Sequence, residues 1–180
     1  MELRFKHTIL DLSTPKIMGI LNITPDSFYD GGSYLSNESI LAQAQKLLMD
    51  GADIIDIGAV STRPNASIVN ENDELMRLIP AIELLKEKFP DCIISVDTYR
   101  SNVATKAIEA GADMVNDISG GTFDTNMFDV VAKLNVPFVL MHIQGTPQDM
   151  QHNPSYVDVS NDVNDFFSRQ ITVAKKKGIE

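Results

Sequence analysis

Ile17-Met18-Gly19-Ile20-Leu21 runs directly into Asn22-Ile23-Thr24-Pro25-Asp26-Ser27-Phe28-Tyr29-Asp30-Gly31-Gly32. A short apolar run that stops on an amide reads as a buried strand of a parallel sheet. The polar stretch behind it is a strand-to-helix connection, because Ile40, Leu41, Ala44, Leu47 and Leu48 then recur at helical spacing. A dinucleotide fold would place a Gly-x-Gly-x-x-Gly turn here. This loop is too long and too polar for that turn, and no Walker-type phosphate loop occurs in the chain.

Outward from that segment the same unit repeats. Ile54-Ile55-Asp56-Ile57, Cys92-Ile93-Ile94-Ser95-Val96, Met114-Val115 and Val136-Pro137-Phe138-Val139-Leu140-Met141 are further short apolar runs. Between and after them lie stripes of helical period: Leu75, Leu78, Ile79, Ile82 and Leu85; Val103, Ala104, Ala107 and Ile108; Met127, Val130, Val131 and Leu134; Val159, Val163, Phe166 and Phe167. About five strand-then-helix units result, an α/β pattern whose two main solutions are an open doubly wound sheet and a closed barrel. Gly51-Ala52-Asp53 and Gly111-Ala112-Asp113 each close a helical stretch and open a strand, and the first reading of both is a helix stop. Residues 1–12, with Leu3, Phe5, Ile9 and Leu12 among polar neighbours, suit a small hairpin ahead of the first barrel strand.

The 180 residues are read as one domain, 1–180. Fifteen Lys and Arg against 25 Asp and Glu give a net charge of -10. That balance leaves no general field for nucleic acid or an anionic membrane, so neither is expected as a partner. Any phosphate must be held locally, by a few donors or a metal. The single Cys92 excludes an internal disulfide and a cysteine zinc site, and fits a reducing, cytoplasmic setting. Charges scattered through Glu2, Arg4, Lys6 and Asp11 argue against a signal peptide, and no apolar run nears the roughly 20 residues of a membrane helix.

Polar residues stand at the ends of the apolar runs: Asn22, Asp56, Asp97, Asn116 with Asp117, and Met141-His142. In parallel α/β folds these ends converge on one rim, where active sites form. Each has an ordinary use when taken alone. Asp97 or Asp117 would cap a helix, although Ser101 lies nearer the next helix start, and His142 would sit in a loop or core. His7 and His152 lack metal-ligand spacing. Recurrence over five strands favours a shared pocket. Asp97 and Asn116 offer acceptors and a donor to a flat heterocycle. Arg63, in Ser61-Thr62-Arg63-Pro64, suits a phosphate clamp, and Asn22 and Asp26 are oxygen ligands of the kind magnesium takes.

These motifs carry a family resemblance. Met18 through Phe28 with Asp30-Gly31-Gly32 resembles the first signature of the dihydropteroate synthase family. Gly51 through Gly58 running into Ser61-Thr62-Arg63-Pro64 is similar to the second. Ser95-Val96-Asp97-Thr98, Val115 through Gly121 and Leu140-Met141-His142 match in order as well. The resemblance implies a TIM (β/α)8 barrel, of which this chain holds about the first five βα units. It also implies a folate-pathway transferase in a family targeted by sulfonamides. The reaction would join 6-hydroxymethyl-7,8-dihydropterin diphosphate and 4-aminobenzoate into 7,8-dihydropteroate, releasing diphosphate. Residue by residue, it implies that Asn22, with Asp26 beside it, holds Mg2+. Thr62 and Arg63, flanked by Ser61 and Pro64, contact diphosphate and aminobenzoate. Asp97 and Asn116 bind the pterin ring; Ile118 and Met141 line its pocket, Asp56 its floor, and Phe28 closes from the first loop. Asp97 and Arg63 carry the catalytic roles. A homodimer is implied for the full-length protein.

A barrel of this kind takes about 250 residues. The sixth-strand aspartate, the later lysine with its serine and the final Arg-x-His pair that the family supplies have no counterpart here. Lys175, Lys176 and Lys177 belong to a helix end. The chain is therefore expected to be C-terminally truncated and, by itself, inactive. The alternatives are a non-catalytic pterin-binding fragment, or the pterin-binding domain of a corrinoid methyltransferase, which the first and second loop motifs disfavour.

Overall fold

The computed structural model describes residues 1–24, 36–60, 69–151 and 153–179. An antiparallel hairpin, β1 (Glu2–Arg4) and β2 (Ile9–Asp11), precedes five units of strand and helix. These are β3 (Met18–Asn22) and α1 (Asn37–Met49), β4 (Ile54–Gly58) and α2 (Glu71–Lys88), β5 (Ile93–Asp97) and α3 (Ser101–Glu109), β6 (Met114–Asp117) and α4 (Met127–Leu134), then β7 (Phe138–Leu140) and α5 (Val159–Lys176). The hairpin, the five strands and the five helices all fall where periodicity and composition place them.

Strand order separates the two solutions left open by the pattern. The sheet runs β3-β4-β5-β6-β7, every pair parallel, with no reversal. A doubly wound sheet needs a switch point at which the order turns back. Here each unit is added to the same side of the last, and consecutive helices from α1 to α5 touch their neighbours in turn. The described residues form an arc of a (β/α)8 barrel.

The alternation of side chains along each strand sorts the two faces. Leu21, Ile55, Ile57, Ile94, Val96 and Val115 point to the helices and meet Ala44, Leu78, Ile82, Leu85, Val103 and Ala107 in the main core. All are at most 1% exposed. The concave face is layered instead. Its lower end is apolar, with Ile54, Ile93 and Met114 joined by Met18 and Val139, and the hairpin plugs it with Phe5 and Leu10. Its upper end carries the polar positions.

Gly51 and Gly111 stop α1 and α3 with φ of +103° and +117°, values that a side chain would strain. The aspartates two residues on do more than follow a helix stop. Asp53 N–H donates to Ile17 O at 2.8 Å while its Oδ2 accepts Ile17 N–H at 2.9 Å. Asp113 repeats this with Ile94, both bonds at 2.8 Å. Each aspartate thus latches its own strand to the start of the preceding one. Asp113 also accepts Lys86 Nζ at 2.7 Å, while Lys86 donates to Cys92 O at 2.6 Å. His7 Nδ1 lies 3.4 Å from its other oxygen.

Only 8% of the Asp113 side chain is exposed, so its loss leaves the buried Ile94 N–H without its acceptor and the half-buried Lys86 without its counter-ion. Asp113→Ala should lower stability by about 3 kcal/mol, read as a reduced urea midpoint with an unchanged slope.

Candidate functional site

The parallel register sets Asn22 opposite Gly58, Gly58 opposite Asp97, and Asp97 opposite Asn116. Four consecutive strands therefore present their last concave-facing positions in one row. One layer below, Ile20, Asp56, Ser95 and Met114 make a second row by the same pairing. Gly58 matters because of what it lacks. A Cβ there would stand 3.3 Å from Asp97 Oδ2 and 3.7 Å from Asn22 Oδ1. The bare backbone brings the oxygens of Asn22 and Asp97 over one open position, in a cradle that a methyl group would fill.

Asp97 is the carboxyl of the upper row. Desolvation, then the charges of Asp56, Glu74 and Asp117, push it up to about 7. Its carboxylate accepts no hydrogen bond from any described residue. Asp56, 5% exposed, accepts Asn116 Nδ2 at 3.1 Å through Oδ2. Its Oδ1 and the neighbouring Ser95 Oγ are buried and have no hydrogen-bond partner among the described residues. Burial raises Asp56 above the usual carboxylate range, and the polar neighbours Ser95 and Asn116 oppose that rise.

Asp117 faces away from the row. Its Oδ1 accepts both the N–H (2.7 Å) and the hydroxyl (2.7 Å) of Ser119, and its Oδ2 accepts Gly121 N–H at 2.9 Å. It caps no helix; it pins the 118–121 turn on which Ile118 stands. Nor does Asp97 cap α3, since Ser101 N–H is taken by Asp124 Oδ2 at 2.7 Å. Ile118 and Asp97 border one small hollow together with Val60, Glu74, Thr98 and Tyr99. Met141 follows β7 with its carbonyl against Gly120, and Gln170 of α5 donates to Gly120 O at 2.7 Å. His142 stacks edge-on against Phe166, centroids 5.0 Å apart, a packing role.

Asn22, Asp56, Asp97, Asn116, Ile118 and Met141 are thereby gathered at the upper, concave end. Asp26, Phe28, Ser61, Thr62, Arg63 and Pro64 lie outside the described residues. Among the described residues no three His, Cys, Asp or Glu side chains form a metal cluster. A magnesium ion sharing its shell with a diphosphate needs only one or two protein oxygens, and Asn22 Oδ1 at the cradle suits that role.

One supporting group is invisible to strand-end reasoning. Glu74 of α2, 1% exposed, accepts Thr98 Oγ1 at 2.7 Å and pairs with Arg100, which also donates to Val69 O at 2.7 Å. Burial still raises Glu74, against the opposing pull of Thr98 and Arg100. The Arg100 guanidinium covers the Tyr99 ring, 4.9 Å from its centroid. This buried pair ties the loop after Asp97 to the helix and to the residue that follows the second strand's loop. The only sequence signal for Glu74 is its spacing, four residues before Leu78, which puts it on the buried face of α2.

A family model described as pterin binding enzyme matches residues 18–180. The chain is 48% identical over 163 residues to a dihydropteroate synthase of Synechocystis, covering 91% of this chain and 56% of that protein. It is 44% identical over 180 residues to one of Haemophilus influenzae, covering 100% and 65%. The crystal structure of Yersinia pestis dihydropteroate synthase in complex with a sulfonamide drug superposes with a TM-score of 0.91 at 44% identity, covering all of this chain and 65% of that one. The chain thus spans between 56% and 65% of the length of these relatives.

Asp97, raised from an ordinary 3.8 to about 7, holds its proton more tightly in the folded state. Its contribution to stability therefore falls as pH rises across that interval and is constant above it. Asp97→Asn should flatten the decline in urea midpoint up to pH about 7. Glu74→Gln should move the Asp97 carboxyl resonance to a lower midpoint, because it removes a negative neighbour.

Proposed function

The chain belongs to the pterin-binding enzyme family, and from that premise we propose that the protein it represents is a dihydropteroate synthase of the cytoplasm. Its substrates are 6-hydroxymethyl-7,8-dihydropterin diphosphate and 4-aminobenzoate, its products 7,8-dihydropteroate and diphosphate. A homodimer of the full-length protein belongs to the same proposal. The single observation that carries the reading is the Asp97 carboxylate, without a hydrogen bond from the described residues, standing in register with the Asn116 amide at the mouth of a concave polar row.

Ionised Asp97 accepts from ring N–H groups, and the Asn116 amide fixes the plane of the heterocycle beside it. As the methylene–oxygen bond to diphosphate breaks, positive charge spreads into the pterin. A negative carboxylate in a desolvated site lowers the energy of that state more than the energy of the neutral ring. The aniline nitrogen attacks the methylene carbon, the diphosphate departs with the bond electrons, and the amine gives up a proton to restore neutrality. Ile118 and Met141 supply apolar contact to the ring faces and keep water from the carbon. Magnesium, when bound, neutralises charge on the diphosphate; Asn22 would hold it, with Asp26 as the second oxygen donor. Arg63 and Thr62 would serve the diphosphate and aminobenzoate from the second loop.

Binding of the dihydropterin diphosphate, measured by calorimetry with magnesium present, tests this. Asp97→Ala and Asn116→Ala should each weaken it about tenfold or more, the value of one buried hydrogen bond. Because the ionised carboxyl offers both oxygens as charged acceptors, whereas the protonated one turns an O–H donor toward the ring and accepts more weakly, affinity should rise with pH through about 7 and level off above it, and Asp97→Asn should abolish that rise. A wild-type protein that binds no pterin at any pH overturns the reading.

A further inference from the structure

The second row contains a carboxylate that no step above uses. We propose that Asp56 is a positioning residue: by accepting the Asn116 amide N–H it turns the Asn116 carbonyl toward the mouth, so that the site reads two neighbouring N–H donors. The inference rests on the pterin reading and deepens it, from ring binding to the choice between rings.

The geometry is a diagonal across β5. Asp56 of β4 is paired with Ser95, and Asn116 of β6 is paired with Asp97, one concave-facing position further along. Ser95 lies between the two, fully buried and small, so nothing separates the carboxylate from the amide. Asn116 Nδ2 reaches Asp56 Oδ2 at 3.1 Å. An ionised carboxylate has acceptors only, whereas a primary amide has one donor side and one acceptor side. The flipped amide would set oxygen against oxygen, so Asp56 admits a single orientation. Asn116 Oδ1 is left with no hydrogen bond from the described residues. Beside it stands the Asp97 carboxylate, equally without one. Two acceptors side by side match a ligand edge of ring N–H next to an amino group and oppose an edge that carries a carbonyl there.

An asparagine at 56 would remove this logic without changing shape, because two facing amides pair in either sense. The probes are 6-hydroxymethylpterin and 6-hydroxymethyllumazine, which has an oxo group where the pterin has its amino group. The wild-type protein should prefer the pterin. Asp56→Asn should weaken pterin binding about tenfold, the worth of one hydrogen bond, and cut the preference by a similar factor. A merely structural carboxylate would lower stability and leave the ratio of the two affinities in place, and that result overturns the proposal.

A ligand-free measurement keeps the test separate from the pterin reading and from the folding of the variant. In the wild-type protein one proton of the Asn116 side-chain NH2 should be shifted downfield and slow to exchange with solvent, and Asp56→Ala should abolish both signatures. Two Asn116 NH2 protons at ordinary positions, both exchanging freely, overturn the positioning role. If the wild type binds neither probe, the functional reading fails, and this amide signal still decides the role of Asp56.

Discussion

Everything at the upper rim depends on parallel register. Because side chains alternate with a period of two, a slip of one residue between any two strands would turn a concave position onto the helix face. Asn22, Gly58, Asp97 and Asn116 share a row only because four strands keep step. The aspartates of the two Gly-Ala-Asp segments help hold that step from below. Each ties its strand to the first residues of the preceding one through a reciprocal pair of bonds, far from the row they align.

The rim concentrates negative charge, and its four acids are settled in different ways. Glu74 has Arg100 and Thr98; Asp117 has three donors from its own turn; Asp56 has the Asn116 amide. Asp97 has none of these and is driven up to about 7. Burial favours its neutral form, whereas a bound cationic or N–H-rich ring favours the charged one. The preference is thus left for a ligand to reverse.

Much of this is legible in the sequence, and the reasons differ by residue. Apolar runs and helical stripes located every strand and helix, since a sheet covered on one side by helices writes both periods into the chain. Asn22, Asp97 and Asn116 were visible as a group because each ends such a run. Asp117, adjacent to Asn116, looked equally placed; alternation sends it to the other face, where it secures a turn. The Glu74–Arg100 pair and the Asp56–Asn116 bond join residues 26 and 60 positions apart. Contacts of that kind follow from the packing of α2 on the sheet and from a diagonal across β5, neither of which local pattern records.

The hairpin that seals the apolar end has a practical corollary. Phe5 and Leu10 fill the lower concave layer, and Met1, 91% exposed, sits on the outside of that seal. The amino terminus and the carboxyl rim are therefore at opposite poles of the strands. A tether attached at Met1 holds the molecule with its polar face directed outward, an orientation suited to capture on a sensor surface or a bead.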